Sequence, residues 1–123
     1  DNDGDQDVLI TNNAGRARLL MNNVGHRNRW LGLRLVGGAG PRDMLGARVG
    51  VFRDIGRPLW RHAHTDGSYA SANDPRVLVG LGDAATVRRV QVIWPSGQVE
   101  DFVDVFVDRW QTLTEGTGQS ADP

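Results

Sequence analysis

Cysteine is absent from this chain. That removes disulfide staples, thiolate nucleophiles and cysteine-based zinc sites together, and it leaves the compartment open. Lysine is missing too, so all 14 basic residues other than histidine are arginines. A GC-rich bacterial codon bias produces this pattern; the competing reading is selection for planar, bidentate anion binding. No run of about 18 apolar residues occurs, so no helical membrane span is expected. Neither charge sign dominates: the net charge is −1, which gives no global pull toward nucleic acid or an anionic membrane. No segment keeps a helical period. An initiator Met and a signal-peptide pattern are also missing, and the chain opens inside a motif, so it reads as a piece of something longer.

What is present fits one globular domain. The chain has 123 residues, 39% hydrophobic and 24% charged, enough to bury about two-thirds of the unfolded surface and too apolar for disorder. Sixteen glycines and five prolines are scattered as punctuation, which suits short strands joined by turns. The strongest signal runs from Val87 to Val107. Val90, Val92 and Trp94 alternate on one face, Pro95-Ser96-Gly97-Gln98 breaks the run, and Val103, Val105 and Val107 alternate again. Pro presets a turn and Gly accepts its unusual dihedrals, so this is a hairpin. Two strands cannot hide so much apolar surface alone, and other strands must cover them.

Asp1, Asp3, Asp5 and Asp7 alternate around Gly4 at the start of the chain. Such carboxylates repel one another unless a cation joins them. Calcium loops place oxygen ligands at alternate positions with glycine at position 6. With Gly4 in that place, Asp1 to Asp7 occupy positions 3 to 9, and position 1 falls ahead of the chain. Calcium binding by this chain is therefore expected to be weak or absent. The rival reading is a solvated acidic terminus. Val8 to Thr11 and Arg16 to Met21 read as two strands around the turn Asn12-Asn13-Ala14-Gly15, too small to stand unless they dock on the rest of the chain. Residues 24–29 form a polar connector and the expected domain boundary. Beyond it, strands are expected at Trp30 to Val36, Gly46 to Arg53, Leu59 to His64, Arg76 to Leu81 and Trp110 to Thr114, besides the hairpin. Residues 115–123 read as a frayed tail. The expected fold is all-β, an antiparallel β-sandwich or open barrel of about seven strands.

Asp-x-Asp spacing leading straight into a strand resembles the calcium loops of FG-GAP/VCBS repeats in β-propellers, with Val8 in the apolar position after the last Asp. Residues 1–25 are then the remnant of one propeller blade. Gly46-Ala47-Arg48-Val49, Ser68-Tyr69, Asp74-Pro75, Gly80-Leu81-Gly82 and above all Val92-Ile93-Trp94-Pro95-Ser96-Gly97 resemble the ASPIC/UnbV domain. That family includes cartilage acidic protein and many bacterial relatives, and the match covers about residues 30–115. The Gln98-Val99-Glu100 segment departs from it, since the family often places its Gln two residues later. The resemblance implies a secreted or cell-surface module, calcium-associated, without an established enzymatic activity, placed after propeller repeats that would be its partners in the parent protein.

Several side chains are candidate sites in their own right. His62 and His64 lie two apart on an expected strand, so their side chains share a face; with His26 or an Asp they could chelate zinc or copper. The bland reading is a solvent-facing strand. Ser68, Ser71 and Ser96 lack a nucleophile elbow. Tyr69 is a core, corner or ligand-facing residue. Trp94 is in phase with core valines, whereas Trp60 shares the histidine face and becomes a protein or glycan contact if that face is wet. Arg88 and Arg89 read as a solvated strand edge. The expected function is a non-enzymatic extracellular binding or scaffold module at the C-terminal end of a calcium-stabilised propeller, active in adhesion or recognition. The alternatives are a carbohydrate-binding accessory domain and, behind it, an enzyme domain.

Overall fold

The computed structural model describes residues 1–122, and the side chain of His26 and Pro123 lie outside that description. Among the described residues the chain is all-β, with ten strands and one 3-10 turn at Gly25–Arg27. Among the described residues no helix is long and apolar enough to cross a membrane.

β1 (Val8–Asn12) and β2 (Gly15–Leu20) pair as an antiparallel ribbon. The remaining strands form two sheets facing each other, the sandwich expected from turn spacing. One sheet orders β10 (Gln119–Ser120), β8 (Val99–Phe102), β7 (Arg89–Ile93), β4 (Arg48–Phe52) and β5 (Leu59–His62). The other orders β6 (Val77–Gly82), β3 (Arg29–Val36) and β9 (Trp110–Thr114). Period-2 alternation decides what each strand buries. Leu31, Leu33 and Leu35 of β3 meet Val77, Val79 and Leu81 of β6 and Val49, Val51, Val90, Val92 and Trp94 from the opposite sheet in one apolar core.

Four expectations need correction. The pairing of β9 with β3 is parallel, from Gly32↔Trp110 to Val36↔Thr114, so the second sheet is mixed rather than antiparallel. The chain must cross from one sheet to the other to make that pair, and this explains the second difference. Val103 to Val107 do not continue β8, because the pairing ends at Val90↔Phe102. These residues form the crossover, with Val105 and Val107 packed on the core and Val103 exposed. Gln111 fastens the crossover: its side chain donates to the Phe106 carbonyl (3.0 Å) and accepts from the Phe106 amide (3.3 Å).

The third correction concerns the tail, which is not frayed throughout. Gln119 and Ser120 pair with Asp101 and Glu100 of β8, and the buried Gln91 amide donates to the Asp122 carbonyl at 3.2 Å. A polar side chain on the outer face of a central strand needs that partner, and the tail supplies it. Arg88 and Arg89 likewise do not guard an edge, since β7 lies inside its sheet. Arg89 pairs with Asp101 and lies over the Phe52 ring at 3.9 Å.

Candidate functional site

The turn between β7 and β8 is closed by backbone and side-chain hydrogen bonds. Gly97 adopts φ +90°, and the strand ends close through Trp94 N to Gln98 O and Gly97 N to Trp94 O, each 2.9 Å. Beneath it sits Glu100, 2% exposed and directed inward opposite Val92. Its carboxylate accepts from Trp94 Nε1 (2.7 Å), Gln98 Nε2 (3.0 Å) and the Gly116 amide (3.0 Å). A buried carboxylate persists only where its lone pairs are met, and here three N–H donors meet them. The sequence reading passed over Glu100. The signal was available: strand alternation from Phe102 places an acidic residue at an inward position.

The acidic loop packs against the outer face of the three-stranded sheet. Gly4 has φ +100° and lies so close to the Trp30 indole that a Cβ would fall inside the ring. Trp30 leans on Trp110 (5.6 Å between centroids), and the Arg76 guanidinium covers Trp110 at 3.9 Å. Within the loop, Asp1 Oδ1 accepts the Asp3 amide (3.3 Å) and Asp3 Oδ1 accepts the Asp5 amide (3.2 Å). Asp7 Oδ1 accepts the Asn22 amide at 2.8 Å, tying the loop to the end of β2. An all-oxygen donor set around a positive-φ glycine suits a hard cation such as calcium. Among the described residues, no group of three or more His, Asp or Glu is already gathered into a cage.

A cleft of about 600 Å³ is lined by Asp5 and Gln6 of this loop together with His62, His64, Arg76, Leu78 and Gly80. The two histidine rings lie 6.1 Å apart. His62 Nε2 donates to the Gly46 carbonyl (3.1 Å) and His64 Nδ1 to the Asp66 carbonyl (2.5 Å), with Asp66 Oδ1 at 3.2 Å. Since a carbonyl only accepts, each ring holds its proton on that nitrogen and offers the other. Asp66 is therefore the acidic neighbour of the pair; the His26 side chain, named as a third ligand from the sequence, lies outside the described residues. Ser68 shares a hollow with His62, His64 and Asp66. Among the described residues no hydrogen bond joins its hydroxyl to His64, so the relay a serine nucleophile needs is not assembled.

Trp60 is 39% exposed and faces outward beside His62, as their register opposite Gly50 and Arg48 requires. Its ring lies against Gly50, where a Cβ would come within 2.8 Å of it. Phe52 meets it edge-on at 6.4 Å and the Arg48 guanidinium lies 5.3 Å from its centre. Tyr69 is 98% exposed, on the irregular stretch between β5 and β6, and is not a core residue. Of the candidates, the structure thus brings together Trp60, His62 and His64, and leaves Tyr69 in solvent outside the histidine hollow.

Three carboxyls are held below the usual value of 3.8. Arg76 hydrogen bonds lower Asp74, opposed by burial; the Arg29 side chain does the same for Asp108; the Asn22 amide lowers Asp7. A depressed folded-state value adds stability above the unfolded value, and that stability is lost as pH falls through the folded one. The melting temperature should therefore hold from neutral pH to about 5 and drop below about 4, with a smaller drop in Arg76→Gln. A steady melting temperature down to about pH 2 would remove these pairs from the account.

The sandwich with its appended ribbon defines an all-β module. A family model described as ASPIC and UnbV matches residues 37–120. The chain belongs to the ASPIC and UnbV family. No curated protein and no solved structure is a match.

Proposed function

We propose that this chain is a non-enzymatic binding and scaffold module, secreted or at the cell surface, that caps the C-terminal end of a calcium-stabilised β-propeller and serves adhesion or recognition. The observation that carries this reading is the β1–β2 ribbon. Every residue in both strands is exposed, yet Leu9 and Leu19 form one cross-strand pair and Val8 and Leu20 another. Because neighbouring positions point to opposite faces, the ribbon is apolar on both sides. Such a ribbon is marginal alone and suits a blade covered by neighbouring strands, which FG-GAP/VCBS repeats would supply. A holding role rather than a reactive one is favoured because the Arg76 guanidinium in the cleft is already engaged by Asp74.

Calcium would be structural here, drawing the Asp1, Asp3, Asp5 and Asp7 oxygens together and stiffening the loop that rests on Trp30. Hydrogen exchange with and without calcium tests this. Added calcium should protect residues 1–25 and raise the melting temperature. Asp3→Asn should abolish the protection. Unchanged exchange at saturating calcium would overturn the calcium role.

A further inference from the structure

The outer face of the five-stranded sheet carries an exposed indole, Trp60. We infer that Trp60 and Arg48 form a binding site for an acidic sugar, with the ring as a stacking platform and the guanidinium as the anion contact. This deepens the binding-module reading and rests on it. Gly50 makes the platform: lacking a Cβ, it lets the indole lie down on β4, whereas any side chain there would lift it. Phe52 braces one edge of the ring. Trp60 keeps 39% of its surface exposed despite these supports, and the part of the ring that Gly50 and Arg48 leave uncovered meets the C–H groups of a pyranose.

Charge selects the kind of sugar. Arg29, Arg34, Arg76 and Arg89 are each paired with an aspartate. Among the described residues Arg48 has no carboxylate partner, and its guanidinium lies over the Trp60 ring. The tip of the β4–β5 hairpin also carries Arg53 and Arg57 against a single acid, Asp54, which already accepts from the Thr86 hydroxyl at 2.9 Å. A guanidinium beside an aromatic platform recognises a planar carboxylate or a sulfate by paired hydrogen bonds. His62 follows Trp60 on the same face and offers its second ring nitrogen to a hydroxyl. Single-stranded nucleic acid needs a succession of stacking rings along a basic track, and this face presents one exposed ring, so the sugar is the better fit.

Calorimetry of the 123-residue chain with tetragalacturonate, cellotetraose and a short oligothymidylate tests the assignment. Tetragalacturonate should bind, weaken with added salt, and lose about ten-fold or more in affinity in Trp60→Ala and in Arg48→Gln. Arg48→Gln keeps the ring in place, and melting curves of both variants exclude misfolding as the cause. Equal binding of cellotetraose would overturn the charge assignment, and tighter binding of the oligothymidylate would overturn the sugar. Absence of tetragalacturonate binding would end the proposal while leaving the calcium-dependent protection of residues 1–25 unaffected. Loss of that protection with sugar binding intact would instead remove the propeller reading alone.

Discussion

Trp94→Ala should lower the unfolding free energy by about 3–5 kcal/mol, the range for emptying a large aromatic site in a packed core. Trp94 is 1% exposed, lies in the common core and meets Phe102 edge-on at 6.5 Å. Three losses combine at this position: apolar burial, the cavity left behind, and the indole N–H that serves Glu100. Domains of this size hold only about 5–15 kcal/mol in total, so the variant should be marginal at 37 °C. Trp94→Phe keeps most of the volume and should cost about 1–3 kcal/mol, chiefly for the missing donor. Urea unfolding with unchanged slope measures both. A Trp94→Ala loss under about 1 kcal/mol would mean that the β7–β8 turn does not organise the fold.

The second large effect is expected at Glu100. Glu100→Ala strands the Trp94 indole N–H and the Gly116 amide in the interior, each at a cost of about 1–3 kcal/mol. A total loss of about 2–4 kcal/mol results if relaxation or water recovers part of that. Glu100→Gln keeps one acceptor oxygen and should lose less. Since Trp94 and Glu100 share a hydrogen bond, the double variant Trp94→Phe/Glu100→Gln should be less destabilised than the sum of the singles, by about 0.5 kcal/mol or more. Strict additivity would show that the two side chains do not act as a unit. A Glu100→Ala change within about 0.5 kcal/mol of zero would mean that the carboxylate does not hold the turn together.

The all-β class, the sandwich and most strand positions were legible because alternation of β-branched and polar residues is a local signal. Trp94 was placed in the core by its phase with Val90 and Val92, and the structure agrees. The Trp60 and His62 face was legible for the same reason. Gly50 gave no such signal: a glycine within a strand marks a close approach, and only pairing across β4 and β5 reveals that Trp60 is what approaches. Glu100 was missed because the sequence shows an acid without its donors, two of which come from Trp94 and Gly116. Tyr69 was left open between core, corner and ligand-facing because the irregular stretch 65–75 carries no period from which to read a direction; the structure removes the core alternative.

By itself, the sequence determined the class of fold, the family, the alternation that assigns each strand an inside and an outside, and the acidic loop with its glycine. These depend on residues close together along the chain. Tertiary structure alone decided that β9 lies parallel to β3, that the tail covers Gln91, that Gly4 rests on Trp30 and that Trp60 lies over Gly50. Those outcomes depend on which distant strands become neighbours, and that choice is made by the combined burial of one core rather than by any single segment.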